Sequence, residues 1–239
     1  MNLALPFLSS LVSLVFALAV LDQFFGRRKP YQLVWALGLL FYFAGTGSEF
    51  LHGAFGPNVW VYRLWYLSGP VLVAAYLGMG TIYLLAPRRL SHGIMTLLLL
   101  ATVFAAYQVF TTFVDPGIVA RHAILTGDAF VDGPMGPRFW SRFLSIAGAL
   151  ALVGGSLYSA WVFWRHRIMA HRVVSNLLIA FGAFLPALAG VVSRLGVPDL
   201  RYIMELMGVI VIFLGFLRSQ EVFGLYRFPF IHGMGRVEK

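Results

Sequence analysis

The sequence predicts an all-α membrane protein, a seven-transmembrane-helix bundle with its N-terminus outside and its C-terminus cytoplasmic. Three observations carry that prediction. Of 239 residues, 60% are hydrophobic and only 11% charged, whereas a soluble domain is about 25% charged. Seven apolar runs each reach the roughly 20 residues needed to cross ~30 Å of hydrocarbon. The 18 basic residues fall in short clusters between those runs, in a lopsided way that orients the chain. Runs this long and continuous are helices, because barrel strands are shorter and alternate in polarity.

The first span, about Leu3–Phe25, contains Ala17-Leu18-Ala19, which resembles a signal-peptide cleavage site. No Lys or Arg precedes it and Arg27, Arg28 and Lys29 follow, so it reads as a retained first helix. The second, Tyr31–His52, carries Glu49 about a turn from its outer end and His52 one turn beyond. The third, Trp60–Ala86, opens with Tyr62, Arg63 and Tyr66 and contains Pro70, which is expected to kink the helix and free the Tyr66 carbonyl. The fourth, Gly93–Phe113, follows Arg88 and Arg89. The fifth, Arg138–Trp164, places Arg142 one turn inside and the small residues Gly154, Gly155, Ser156 and Ser159 further along. The sixth, Arg172–Ser193, sets Gly182, Pro186 and Gly190 on one face and ends at Arg194. The seventh, Leu200–Ser219, begins with Arg201 and Glu205 four residues apart on one face. Small residues at such spacing let helix backbones approach closely in lipid.

Alternate connections carry 12 and six basic residues, and six acids (Glu49, Asp115, Asp128, Asp132, Asp199, Glu205) lie on the poorer side. The richer side is therefore expected in the cytoplasm, in a cell inner (plasma) membrane. Trp60, Trp65 and Trp140 near outer ends, with Trp35, Trp161 and Trp164 near inner ends, read as two interfacial belts. Only two of the basic residues are lysines, a skew expected of a GC-rich, bacterial genome. Residues 1–219 form one transmembrane domain. Residues 220–239, with Phe223, Tyr226, Phe228 and Phe230 among Arg227 and Arg236, are expected to be a short interfacial tail. Neither this tail nor the loop Val114–Pro137 is long enough for a separate soluble domain.

Ionisable groups inside membrane helices are functional candidates by default. Here they collect near the outer surface: Glu49, His52, Tyr62, Arg63, Tyr66, Arg142, Arg194, Arg201, Tyr202 and Glu205. Two arrangements are open. Glu49 and Glu205 can neutralise two of the four arginines and lock the helix ends together. Alternatively, the arginine excess leaves a positive, aromatic-walled pocket suited to a small anionic or lipid-like ligand. The loop Val114–Pro137 is long enough to lie over this layer as a lid or to be a plain connector.

Several chemistries are excluded. A retinal Schiff base needs an intramembrane lysine, and Lys29 and Lys239 are both outside the spans. Facing histidines for haem are missing, no His-Glu-x-x-His or comparable zinc ligand set occurs, and there are no cysteines for thiolate sites or disulfides. No metal and no cofactor is expected. The +9 charge is dispersed among membrane loops, so the partners expected are lipids, the ligand and a membrane or cytoplasmic protein, and not nucleic acid.

The run YRLWYLSGPVLVAAYLGMGTIYLLAP at Tyr62–Pro87, the stretch ALALVGGSLYSAWVFWR at Ala149–Arg165, and Ser193-Arg194-Leu195-Gly196 leading to Tyr202 and Glu205-Leu206-Met207-Gly208 resemble uncharacterised bacterial seven-helix membrane proteins. Spans two and three also resemble the seven-helix sensor region of bacterial histidine kinases. That resemblance implies a membrane-embedded sensing role, here without a kinase module. The reading that follows is a non-enzymatic, receptor-like or accessory subunit. A facilitator or channel bordered by the kinks at Pro70 and Pro186 is one alternative, and a lipid-modifying enzyme using Glu49 or Glu205 as base is the other.

Overall fold

The computed structural model describes residues 3–121, 124–167, 170–192 and 198–219. It is an all-α bundle with seven helical stretches long and apolar enough to cross a membrane. In order they are α1 (Ala4–Arg27), α2 (Pro30–Phe55), α3 (Val59–Tyr66) continued by a π-helical segment (Leu67–Val73) into α4 (Ala74–Leu85), α5 (Arg88–Thr111), α7 (Pro137–Arg165), α8 (Ala170–Val192) and α9 (Pro198–Ser219). A short helix, α6 (Pro116–Arg121), lies in the long connection before α7. With this composition, the chain is a multi-pass integral membrane protein.

Local chemistry sets the ends. Helix α1 stops at Arg28, whose left-handed backbone (φ 51°) lets its N–H donate to the Phe24 carbonyl at 2.7 Å. Pro30 then starts α2 at a position where its missing N–H loses nothing. Helix α2 ends at Gly56, at φ 90°, a value that favours glycine. The Asn58 side chain caps α3 by accepting from the N–H of Trp60 at 2.8 Å and of Val61 at 3.3 Å.

Six spans form a closed ring in the order α1, α2, α3/α4, α7, α8, α9, with α9 returning against α1. Helix α5 lies outside that ring against α4 and the π segment, and touches α7 only lightly. Its most apolar window is 17% buried, against 56% for the α3–α4 span. One buried cluster joins α1, α2 and α9 around Phe16, Leu39, Tyr42, Val209 and Phe216; another joins α3, α4 and α5 to the 112–136 connection around Tyr62, Trp65, Tyr66 and Phe130.

Two backbone approaches hold the ring. A Cβ on Gly78 of α4 would lie 2.4 Å from the Gly148 carbonyl oxygen of α7, and one on Gly148 would lie 2.2 Å from the Ala74 carbonyl oxygen. The second approach is between α8 and α9, where a Cβ on Gly182 would sit 2.8 Å from the Gly208 carbonyl oxygen and one on Gly208 would press on Pro186. Gly182 and Pro186 thus do mark a packing face, as their spacing predicts. Gly155 meets Thr81, whereas neighbouring Gly154 faces open space.

Around Pro70, where a kink is expected, the helix widens into a π-helical segment. The Pro70 carbonyl is taken by two hydroxyls of α7, Ser141 at 3.3 Å and Ser145 at 2.5 Å. The distortion joins α3/α4 to α7. Two tryptophans depart from the belts. Trp65 is only 4% exposed, and the Trp35 N–H donates to the Leu77 carbonyl of α4 at 3.0 Å. Trp60, Trp161 and Trp164 are exposed, as belt residues should be.

Candidate functional site

The ends of α2, α3 and α9 converge on one buried cluster. Arg201, in the first turn of α9, reaches three acceptors. Its Nη2 pairs with Glu49 Oε1 of α2, its Nε donates to Glu205 Oε1 at 2.8 Å, and its Nη1 donates to the Leu125 carbonyl at 2.9 Å. The Trp65 indole N–H of α3 also donates to Glu49 Oε1, at 2.9 Å. The guanidinium carbon stands 5.7 Å from the Trp65 ring centroid and 5.8 Å from that of Tyr202. The Tyr42 hydroxyl reaches across from α2 to donate to the Glu205 carbonyl at 2.8 Å. Glu49 is 2% exposed, and its Oε2 has no hydrogen-bond partner.

The connection after α5 lies over this cluster as a lid. Its base is closed by an antiparallel bridge between Val114 and Phe130, with Asp115 N–H donating to Ala129 O at 2.8 Å and Val131 N–H to Phe113 O at 3.1 Å. Asp115 Oδ1 accepts from Gly117 N–H at 2.7 Å and so starts α6. Phe130 packs against Tyr62 and Tyr66, at centroid distances of 5.3 and 4.7 Å. Two polar contacts fasten the middle of the lid to the bundle: Arg201 to Leu125 O, and the Tyr62 hydroxyl to Thr126 O at 2.8 Å. Between Tyr62, Ile118, Val119, Leu125 and Ala129 there is no room for a water molecule. The connection packs directly on Tyr62 there.

Of the residues expected at the layer, Glu49, Arg201, Tyr202 and Glu205 come together, with His52 buried one turn along α2. Tyr62 and Tyr66 lie beside them under the lid. The two arginines described outside the cluster have other roles. Arg63 donates to the Val109 and Thr112 carbonyls, the latter at 2.9 Å, and so caps the C-terminal end of α5. Arg142 is exposed and bonds the Arg138 carbonyl at 3.1 Å. Arg194 lies outside the described residues, as do His122 and the 220–239 tail. The excess of arginine that the sequence counted is therefore not assembled among the described residues, where two carboxylates share one guanidinium. Sequence reasoning also missed Trp65 as a partner of Glu49. The available signal was its place three residues after Tyr62, which puts the two on neighbouring positions of one helix face.

Both glutamates are held by Arg201, which differs from the free carboxylate a lipid-modifying enzyme would use as base. Among the described residues no group of three or more His, Asp or Glu side chains is placed to hold a metal ion. Comparison with family models, with curated proteins and with solved structures finds no match. The class that the fold defines is thus a seven-helix integral membrane protein with a lidded, buried Arg–Glu cluster.

The lid is anchored at its far side by Asp132, which accepts from Arg138 Nε at 2.5 Å and from the Arg138 N–H at 3.0 Å, at the start of α7. Asp132→Ala is expected to loosen the lid at a cost of about 1–2 kcal/mol, because the Asp132 side chain is 4% exposed and also accepts from a backbone N–H at the start of α7. Limited trypsin digestion should then cut faster after Arg121, an exposed residue of α6. Unchanged cutting would show that the contacts of Phe130, Leu125 and Thr126 hold the lid without Asp132.

Proposed function

We propose that this protein is a receptor-like or accessory membrane subunit that takes a small ligand at the Glu49–Arg201–Glu205 cluster, beneath the 112–136 lid, from the outer side of the membrane. The observation that carries this reading is that Arg201 links three things at once: α2 through Glu49, α9 through Glu205, and the lid through Leu125 O. A ligand that engages Glu49 or Arg201 alters all three contacts together, which releases the lid and shifts α2 against α9.

The charge count favours the chemistry of the ligand. Two glutamates share one arginine in this cluster, and the buried Oε2 of Glu49 supplies an unused acceptor. Trp65, Tyr62 and Tyr202 provide aromatic faces. That combination suits an ammonium group, in contrast to the anionic group that the sequence suggested. An anionic or lipid-like ligand would instead have to displace Glu205 from Arg201.

Thermal unfolding of the purified full-length protein in ethanolamine and in acetate tests the proposal. A rise in Tm with ethanolamine, lost in Glu49→Gln, supports the cationic reading. A rise with acetate alone returns the site to an anionic ligand. Native mass spectrometry that finds no bound small molecule, together with no Tm change in either solution, would make the cluster a structural lock.

A further inference from the structure

The opposite end of the bundle holds a second feature. Where α1 passes into α2 and α4 into α5, an open cleft of about 340 Å³ is lined by Arg28, Lys29, Tyr31, Tyr83, Arg88 and His92. Three formal positive charges face it, and no acidic residue is among its walls. The sequence treats these arginines and lysine only as charges that orient the chain. The fold gathers residues from two separate connections around one hollow.

Three further observations point to an anion. First, α2 begins at Pro30 and α5 at Arg88, so two helix N-termini open on the cleft, and neither has a capping side chain or an acid in its first turn. First-turn amides left without intrahelical acceptors attract negative charge. Second, the cationic groups are positioned by structure. Arg28 is fixed by the left-handed end of α1 and lies over Phe24 and Phe25, at 5.7 and 5.6 Å. The Tyr83 hydroxyl and His92 Nδ1 are hydrogen-bonded at 3.0 Å on the facing wall. Third, apolar side chains lie exposed at and near the rim. Leu84 lines the cleft with 46% of its surface exposed, and Leu85 and Leu90, close to it in the chain on α4 and α5, are 42% and 55% exposed.

A charged hollow with a greasy flank, at the level where apolar helices end, matches a molecule with a phosphate at one end and acyl chains at the other. We propose that this cleft binds the phosphate of an anionic phospholipid, with an acyl chain lying along Leu84, Leu85 and Leu90. Basic clusters beside membrane helices gain about 1 kcal/mol per cation near anionic lipid, roughly a fivefold change in affinity each. Lys29 and Arg88 together are thus expected to contribute roughly 25-fold.

The test uses purified full-length protein in nanodiscs of phosphatidylcholine with a minor fraction of phosphatidylglycerol, and native mass spectrometry to count retained lipids. Wild type is expected to retain phosphatidylglycerol in preference to phosphatidylcholine. The Lys29→Gln/Arg88→Gln variant should lose that preference while its Tm in pure phosphatidylcholine stays unchanged, since both side chains are exposed. Arg89→Gln removes one charge, from the residue next to Arg88 but outside the cleft, and should leave the preference within about threefold. Equal retention of the two lipids by wild type, or equal losses in Arg89→Gln and the double variant, would overturn the proposal. Inorganic phosphate and dihexanoyl-phosphatidylglycerol separate the two sources of the anion. Displacement of retained lipid by the short-chain lipid but not by phosphate supports the lipid. Saturable binding of phosphate without any preference for phosphatidylglycerol would assign the cleft to a soluble phosphate and overturn it. The cleft is at the far end from Glu49, so failure here leaves the proposal for the lidded cluster untouched, and the reverse holds.

Discussion

Arg201→Met is expected to be among the most damaging single substitutions in this protein. It removes the counter-charge from Glu49 and Glu205 and frees the Leu125 carbonyl, while the carboxylate of Glu49 stays 2% exposed. Breaking a buried ion pair from one side destabilises by about 3–5 kcal/mol. In a chain of this length that corresponds to roughly 6–20 °C in Tm, read by thermal unfolding in detergent. The triple variant Arg201→Met/Glu49→Gln/Glu205→Gln should recover most of the loss. Neutral amides need no counter-ion, and the amide oxygen introduced by Glu49→Gln can still accept from the Trp65 indole. Arg142→Ala, at an exposed arginine of the same end, should change Tm by no more than the scatter of surface substitutions, about 0.5 kcal/mol. A wild-type Tm in Arg201→Met would show that the cluster contributes nothing to holding α2, α9 and the lid together.

Gly148→Leu should separate α4 from α7. The hydrogen it replaces faces the backbone of Ala74 and Ala75, with no flexible side chain able to give way. Overpacking of this kind costs about 1–3 kcal/mol where side chains can adjust, and a backbone obstacle puts the effect at the upper end or beyond. The serine contacts from Ser141 and Ser145 to Pro70 would be pulled apart with it. Gly154→Leu provides the matched control on the same helix, since a side chain there enters open space. It is expected to be neutral, or slightly stabilising through improved helix propensity. Gel-shift of intact protein and Tm in detergent distinguish the two. Equal behaviour of the two variants would refute the close contact of the α4 and α7 backbones.

The spans were legible from hydropathy because lipid imposes a length and a polarity that a single sequence displays directly. Glu49, Arg201 and Glu205 were legible for the same reason: a charge inside such a run has few places to go. Which arginine they meet was not. The sequence offers Arg63, Arg142, Arg194 and Arg201 at similar depth, and the choice depends on rotation of each helix about its axis. That rotation put Arg63 on the α5 carbonyls and turned Arg142 outward. Tyr42 escaped notice because its role follows from a contact with another helix and not from any local pattern, whereas Trp65 shares a helix face with Tyr62 and was read only as an interfacial residue. Gly78 and Gly148 share no spacing rule, being 70 residues apart in sequence, and only the meeting of two helices reveals them. The cleft at Arg28 and Arg88 was hidden in another way. Its residues already had an adequate explanation as topological signals, and nothing in the linear chain shows that two loops face one hollow.

The partnership between Glu49 and Arg201 spans 152 residues. A ribosome working at about 5–20 residues per second needs roughly 8–30 s to bridge that interval. During that time the second helix has already been inserted and its carboxylate has no guanidinium to meet. Until α9 arrives, the cost of an unpaired carboxylate in lipid is met by keeping Glu49 near the water interface or by protonating it. Closure of α9 against α1 and pairing of Glu49 with Arg201 thus depend on the same late-made helix.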